Sequence, residues 1–567
     1  MKAIDLKNNK IFRNAIIAVA LICSFTACSD EVEHHIADVS APTFVSVSPQ
    51  ENIKAGLDSI LVTYDKNIFF ASEDYNKITL NGKPVESAHV IGSSNTLLVM
   101  ANIKRGTTYE LQIPEGVVTG PNQMPVAAVT QTLKAQSQNI VQQPVNPNAT
   151  AETKALYATL LANYGKKIYS ATMADVAWNT KEAERIHQLT GKYPAINGYD
   201  YIHLQSSAPG GWIDYSNISP VKDWHDAGGL VTIGWHWNVP VSNPNVSTVP
   251  VPLYDGPEVD MGSWSGYLQL TDQKYKDILA NASIGSKLTV QMKDVQGNAQ
   301  GSLKNSTWVG FVDESGTSWE YFSVSGDSYS IILDQTTLNE MKKNGVIISG
   351  QGYVLTGVTV EAAGTVDYKF YAEKNDFNID NAVTEGTWEN DFIKSDLEKI
   401  APYLLQLQHA GIPILWRPLH EASGKWFWWG AGTADSYKKL WIMMYDTFKR
   451  KGINNLIWVW TSEGNDAAWY PGDAYVDIIG TDMYGQNDSA VTADEAAERF
   501  NNLAYHYPTK MITLSECGTV VDIPQQWEAD AKWGWFMPWY EGTSSDPKHA
   551  TDDWWKTTMN SQYVITR

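Results

Sequence analysis

Cysteine is nearly missing from this chain: 567 residues contain three, Cys23, Cys28 and Cys517. That excludes a disulfide-stapled scaffold, so stability has to come from packing. Basic residues are in deficit, 42 Lys and Arg against 63 Asp and Glu, and the formal charge of −21 argues against a nucleic-acid ligand, whose phosphates such a surface repels. There is no HExxH pair for a hydrolytic zinc, no G-x-S-x-G elbow in a strand-to-helix setting and no Walker-type phosphate loop. Of the eleven histidines, His236 and His420 are the pair able to converge, while His34 and His35 fall in an N-terminal tether. No metal or cofactor is expected.

The longest apolar run near the N-terminus, Ala15 to Phe25, is too short to cross a bilayer comfortably. It follows Lys2, Lys7, Lys10 and Arg13 and precedes "TACSD", the charged, apolar and small-residue order of a secretory signal. The segment resembles a bacterial lipoprotein signal with Cys28 as the lipidated residue. The "SDEVE" that follows is similar to the acidic export tag of surface lipoproteins in gut-type Bacteroidota. The resemblance implies residues 1–27 as signal peptide, 28–39 as tether, and an outer-membrane lipoprotein at the cell surface, attached by its lipid alone.

What is abundant is aromatic: 23 Trp and 28 Tyr. Such residues build large cores, and they also stack on the flat C–H faces of sugars.

Residues 40–136 carry short alternating segments such as "SILVTYD" and "TYELQIP" between Gly, Pro and Asn. They read as a small Ig-like β-sandwich acting as a spacer, followed by a polar, proline-containing linker over 137–152. From residue 153 strand-like and helix-like segments alternate: "KKIYSATM", "TKEAERIHQLTG", "YPAINGYDYIHL", "SPVKDWHDAGG", "LVTIGWHW". The alternation resumes with a long helix from Thr387 and reaches eight strands, the number at which a (β/α)8 TIM barrel closes. The barrel is thus expected over 153–260 and 365–567. The interruption over 261–364, with "KLTVQMKDV" and "GVIISGQGYVLTGVTVEA", is too long for a structureless loop and reads as a β-sandwich inserted after the third strand. It resembles carbohydrate-binding jelly rolls; Trp308, Trp319, Tyr321 and Phe322 are residues able to stack on sugar or to form its core.

Barrel enzymes carry their chemistry where the strands end. "IPILWRPLHEASGKWFWWG" ends the fourth strand with Arg417, His420 and Glu421, and "ITLSECG" ends the seventh with Glu516. Carboxylates on opposite sides of a barrel mouth suit glycoside hydrolysis, in which one attacks the anomeric carbon and the other handles the proton. Arg417 is suited to hold a carboxylate charged through paired hydrogen bonds, and His420 to bind sugar hydroxyls. The alternative for either Glu alone is a structural ion pair at a strand end.

These two motifs resemble the acid/base and nucleophile motifs of glycoside hydrolase family 26, whose best-known members are endo-β-1,4-mannanases. The resemblance covers about Ala151 to Arg567 without the insertion. It implies Glu421 as acid/base, Glu516 as nucleophile, and substrate contacts from His236 with Trp235 beside it, Arg417, His420, Trp426, Asp482, Tyr484 and Trp539. The substrate it implies is mannan, glucomannan or galactomannan, cleaved by a monomer. Mixed-linkage β-glucan and β-1,3-xylan remain alternatives, as do exo action and a non-catalytic glycan-binding protein; the last predicts loss of one carboxylate, and both are present.

Overall fold

The computed structural model describes residues 40–243, 250–282, 285–361, 367–486, 489–540 and 549–567. The expected signal peptide, tether and Cys28 lie outside the described residues. The N-terminal segment forms two four-stranded sheets, one built from Phe44–Ser48, Gly56–Tyr64, Thr96–Ile103 and Ser87–Val90, the other from Lys83–Pro84, Thr79–Leu80, Thr108–Ile113 and Val129–Lys134. In Thr108–Ile113 buried and exposed residues alternate strictly, the period of a strand with one face on a core.

Eight parallel strands form the barrel: β1 (Ile168–Met173), β2 (Ile196–Asp200), β3 (Leu230–Trp235), β4 (Ile414–Pro418), β5 (Leu456–Thr461), β6 (Ile478–Tyr484), β7 (Met511–Gly518) and β8 (Trp535–Pro538). Each pairs with the next, and β8 returns to β1 through Trp535 opposite Tyr169. Among the helices, α1 (Ala151–Asn163) precedes the barrel, α2 (Lys181–Thr190) follows β1, α3 (Ser219–Asp226) follows β2 and α4 (Trp388–His409) leads into β4. After them come α5 (Ala434–Arg450), α6 (Ala493–His506), α7 (Ile523–Glu528) and α8 (Asp552–Met559). The β5–β6 connection carries only a single 3-10 turn, Ala467–Trp469.

Strand alternation splits the apolar residues into two layers. Ile233, Ile414, Trp416, Trp458, Trp460, Ile479 and Leu514 pack outward under the helices. Tyr169, Ala171, Leu415, Ile457, Ile478 and Met511 fill the interior, where α1 adds Leu156, Tyr157 and Leu160 and closes the end opposite the strand C-termini. Ten of the 23 tryptophans are fully buried, so much of the aromatic excess serves this double-layered core.

After β3 the chain leaves through Val239–Pro240 and returns through Tyr368–Lys369, which pair antiparallel as a stem. Between them lies the insertion: one sheet ordered Val251–Tyr254, Val354–Glu361, Lys287–Lys293, Ser328–Ile332, and a second ordered Ser263–Leu270, Val346–Gln351, Gln300–Lys304, Phe322–Ser323. Its own core includes Leu288, Val290, Leu303, Ile348 and Val358. Its first strand starts at Val251, ahead of the Met261 boundary read from the sequence, because Pro250 and Pro252 disguise it; it is an edge strand, where proline is tolerated. Two helices, Gln273–Ala280 and Gln335–Asn344, also went unread. The first part of the barrel correspondingly ends before residue 251, not at 260.

Leu160 sits on the closed end of the barrel, remote from the strand C-termini. Leu160→Ala should lower stability by about 2–5 kcal/mol, the usual cost of truncating a buried leucine, while leaving KM unchanged. A fall in the denaturation midpoint without a change in KM is the expected pair of results.

Candidate active site

β4 is buried along its whole length and stops at Pro418, which offers no backbone donor to continue pairing. Leu419 and Glu421 both adopt left-handed backbone, at φ 52° each, an uncommon conformation for side chains of this size. Such strain persists only where surrounding packing enforces it, and it clusters at functional sites. It ends the strand abruptly and lifts Glu421 to the mouth.

Glu516 reaches the same place by a different device. Along β7, Ile512 and Leu514 face the outer layer, and strict alternation would send residue 516 outward with them. The pairing with β6 shifts, however: Thr481 lies opposite Leu514 but Asp482 opposite Glu516, leaving Ser515 as an extra residue. This bulge reverses the alternation, turning Glu516 inward and Cys517 into the outer core. Ser515 Oγ donates to Asp482 Oδ1 at 2.9 Å and so ties the bulge down.

Glu421, Asp482 and Glu516 each place a carboxylate oxygen within 4.8 Å of the others. Arg417, buried below them, relieves the repulsion: it donates from Nη1 to Glu516 Oε1 at 2.5 Å, from Nη2 to Asp482 and from Nε to Thr461 Oγ1 at 3.0 Å. An oxygen-only triad is also the donor type hard divalent cations take, but here a guanidinium already bonds two of the three carboxylates. Tyr484 donates to Glu516 Oε2 at 3.0 Å, and Trp426 Nε1 donates to Glu421 Oε2 at 2.9 Å.

The two glutamates therefore differ in proton affinity. Burial and the neighbouring charges of Asp482, Glu516 and Glu463 drive the Glu421 pKa far upward. Burial also raises that of Glu516, but Arg417 beside it holds the rise well below that of Glu421. One carboxyl is protonated where its partner is ionised, the arrangement in which two like residues take acid and base roles.

His236 follows β3 and is oriented by a residue that sequence reasoning missed. Asp200, at the end of β2, accepts from the His236 backbone N–H at 3.0 Å and lies 2.5 Å from Nδ1. Burial opposes protonation of His236, yet the Asp200 carboxylate and Glu516 together raise its pKa. The rings of Trp539, Phe370 and Phe427 stand 5.5, 5.2 and 5.7 Å from it. Tyr484 and Trp426 are 37% and 42% exposed and present ring surface to solvent.

Four of the expected substrate contacts need correction. Trp235 is fully buried, stacked on Trp237 at 3.9 Å, because strand alternation turns it to the outer layer when His236 faces the mouth. Arg417 and Asp482 are buried, with Asp482 and Glu516 both on the Arg417 guanidinium, so they support Glu516 instead of forming the surface of a cleft. His420 is buried 4.4 Å from the His236 ring, and desolvation followed by the charges of Arg417 and His236 keep it neutral. The aromatics around Trp426 in "KWFWWG" are mostly core: of the four rings only Trp426 is exposed, while Trp428 donates to Trp237 O at 2.6 Å and Trp429 to His420 O at 2.7 Å.

Two further residues went unread. Glu463, after β5, has a buried carboxylate pushed up to about 7 by burial and by Asp482, and its Oε1 has no hydrogen-bond partner among the described residues. Asp466 accepts from Ser423 Oγ at 3.1 Å and from Glu463 N–H at 2.8 Å, joining the Glu421 turn to the β5 loop. The only sequence signal for either was an acidic residue just past a strand end.

Close carboxylates of unequal proton affinity at the ends of β4 and β7 place the chain among barrel glycosidases. It belongs to glycosyl hydrolase family 26, whose profile matches residues 145–305 and 334–567; the gap between the two segments falls inside the inserted sandwich. Mannan endo-1,4-beta-mannosidase A of Piromyces sp is 38% identical over 205 residues, 36% of this chain and 32% of that protein. A mannan endo-1,4-beta-mannosidase of Thermothelomyces thermophilus is 28% identical over 425 residues, 74% of this chain and 62% of that protein. The chain thus spans less than two thirds of the length of either. Among solved structures, the family 26 domain of an endo-beta-mannanase/endo-beta-glucanase from Prevotella bryantii is 33% identical with a TM-score of 0.51, covering 75% of this chain and 98% of that one.

Chemistry that needs Glu516 charged and Glu421 protonated fails as pH falls through the Glu516 pKa and as it rises through that of Glu421. Both are raised, so both limbs of a kcat/KM profile should lie above the ordinary glutamate value of about 4.3. Arg417→Lys, which cannot fork to both carboxylates, should move the acid limb to higher pH and lower kcat/KM by roughly 10²-fold, the scale of a misplaced catalytic group.

Proposed function

We propose that this protein is a retaining mannan endo-1,4-β-mannosidase acting on mannan, glucomannan or galactomannan. The observation that carries the reading is the carboxylate separation. Oxygens of Glu421 and Glu516 lie within 4.8 Å of each other, close to the spacing of about 5–5.5 Å typical of retaining enzymes and short of the about 6.5–9.5 Å an inverting enzyme needs to seat a water.

In the first step Glu516 attacks the anomeric carbon, forming a glycosyl ester, while Glu421 gives its proton to the departing oxygen. In the second, Glu421, now a carboxylate, takes a proton from water as the water oxygen attacks the same carbon and releases Glu516. Arg417 and Tyr484 hold the Glu516 oxygens in place, and Trp426 orients Glu421. His236, fixed by Asp200 through Nδ1, keeps Nε2 for a sugar hydroxyl, and Trp539 offers a ring face beside it. The names of the family 26 relatives support mannan as the polymer, and the sequence signal supports attachment of the mature chain to the outer membrane through lipid on Cys28.

The wild type should release manno-oligosaccharides of mixed length from galactomannan and glucomannan, with the β-anomer formed first by proton NMR, whereas Glu516→Ala should remain folded and release none. Cleavage confined to mixed-linkage β-glucan or β-1,3-xylan would overturn the substrate, and an initial α-anomer the mechanism. Cys28→Ser should move the protein from the membrane fraction to the soluble fraction of cells; unchanged membrane association would sink the lipid anchor.

A further inference from the structure

The second sheet of the inserted sandwich carries an aromatic group that the barrel chemistry does not use. Leu268 and Leu270 on strand Ser263–Leu270 and Leu303 on strand Gln300–Lys304 belong to the sandwich core. Alternation therefore sends Tyr267, Ser302 and Lys304 to the opposite face. Tyr267 lies opposite Ser349, and Ser349 opposite Ser302, in one cross-strand row. On this face Trp264, Tyr267, Lys304, Trp308, Tyr321 and Ser349 line a cleft of about 390 Å3.

Its walls are two edge-to-face pairs: Tyr267 with Trp308 at 5.2 Å and Trp264 with Tyr321 at 5.4 Å. Tyr267, Trp308 and Tyr321 are 51%, 46% and 60% exposed, unlike Trp319 and Phe322, which pack against the sandwich core. Trp264 and Trp308 both have left-handed backbone, at φ 68° and 66°. The first stands where the pairing of its strand shifts register between Ser263 and Tyr267. Bulges re-aim side chains, and a bulky residue is costly to hold in that conformation. Two such tryptophans meeting in one cleft therefore point to a selected placement of ring faces.

The chemistry of the cleft selects its ligand. Lys304 stands 4.9 Å from the Tyr321 ring centre and 3.5 Å from its hydroxyl, with its stem largely buried, and Ser349 lies beside it on the cleft lining. A wholly apolar occupant would strand these polar groups. An anionic one would meet Glu320, 3.8 Å from the Lys304 ammonium. A neutral pyranose satisfies both demands, with C–H faces for the rings and a rim of hydroxyls for the ammonium and Ser349. We propose that this cleft is a second carbohydrate-binding site, separate in its residues from the barrel mouth, taking a neutral β-linked hexose polymer; that the polymer is β-mannan rests on the function proposed above.

The test uses the full chain with Glu516→Ala, so that polymer is not consumed, and measures depletion onto insoluble β-mannan. Adding Tyr267→Ala and Trp308→Ala should weaken retention at least tenfold with the unfolding midpoint unchanged, and Trp308→Phe alone should keep most of it. In the hydrolytically intact protein the same two alanine substitutions should leave kcat/KM on a soluble β-1,4-mannotetraose unchanged. Undiminished retention would overturn the proposal. A parallel fall in tetrasaccharide turnover would also overturn it, because the cleft would then be supporting the barrel. If the wild type cleaves no mannan but retention still falls, the binding site stands and only the hydrolytic reading fails.

Discussion

Arg417 lies buried beneath the barrel mouth with Glu516 on one nitrogen, Asp482 on another and Thr461 on the third. Much of the site follows from that one guanidinium. Three carboxylates this close could not share a desolvated site without it, and removing one partner from such a buried arrangement typically costs about 3–5 kcal/mol. Because Arg417 bonds Glu516 and only acts on Glu421 from a distance, it also separates their proton affinities. The same contact thus supports the fold of the mouth and divides the labour of the two glutamates.

The scaffold was legible in the sequence where periodicity carried it. Eight strands alternating with helices, and glutamates at the ends of the fourth and seventh, followed from pattern and from the family resemblance. What sequence could not convey was orientation. Trp235 and His236 are adjacent, and only the register of β3 decides which of them faces the mouth. Glu516 faces inward because Ser515 is an extra residue in the ladder, a feature with no compositional mark. Asp200 carried no signal beyond its place at a strand end, since its partner His236 lies on the next strand. The tryptophans carried two meanings that composition does not separate: in "KWFWWG" the buried ring nitrogens of Trp428 and Trp429 bond backbone carbonyls, which makes them framework.

The inserted sandwich is joined to this framework at a telling place. Beyond its stem the returning chain runs beside the loop that follows Glu421: Ala372 N–H donates to Trp426 O at 2.8 Å, and Trp428 N–H donates to Phe370 O at 3.0 Å. The Lys374 ammonium of this segment also lies 3.3 Å from Glu314 of the sandwich. The segment that leaves the insertion therefore helps hold Trp426, and through it Glu421.

The central claim is that Glu516 bonds covalently to sugar during turnover. Its most direct test is to trap that bond with a 2-deoxy-2-fluoro mannobiosyl fluoride, whose fluorine at C2 slows release of the ester while fluoride departs readily, and to map the labelled peptide by mass spectrometry. The account predicts one added glycosyl group, located on Glu516. A label on Glu421, or no label from an enzyme that still cleaves mannan with this reagent present, would contradict it.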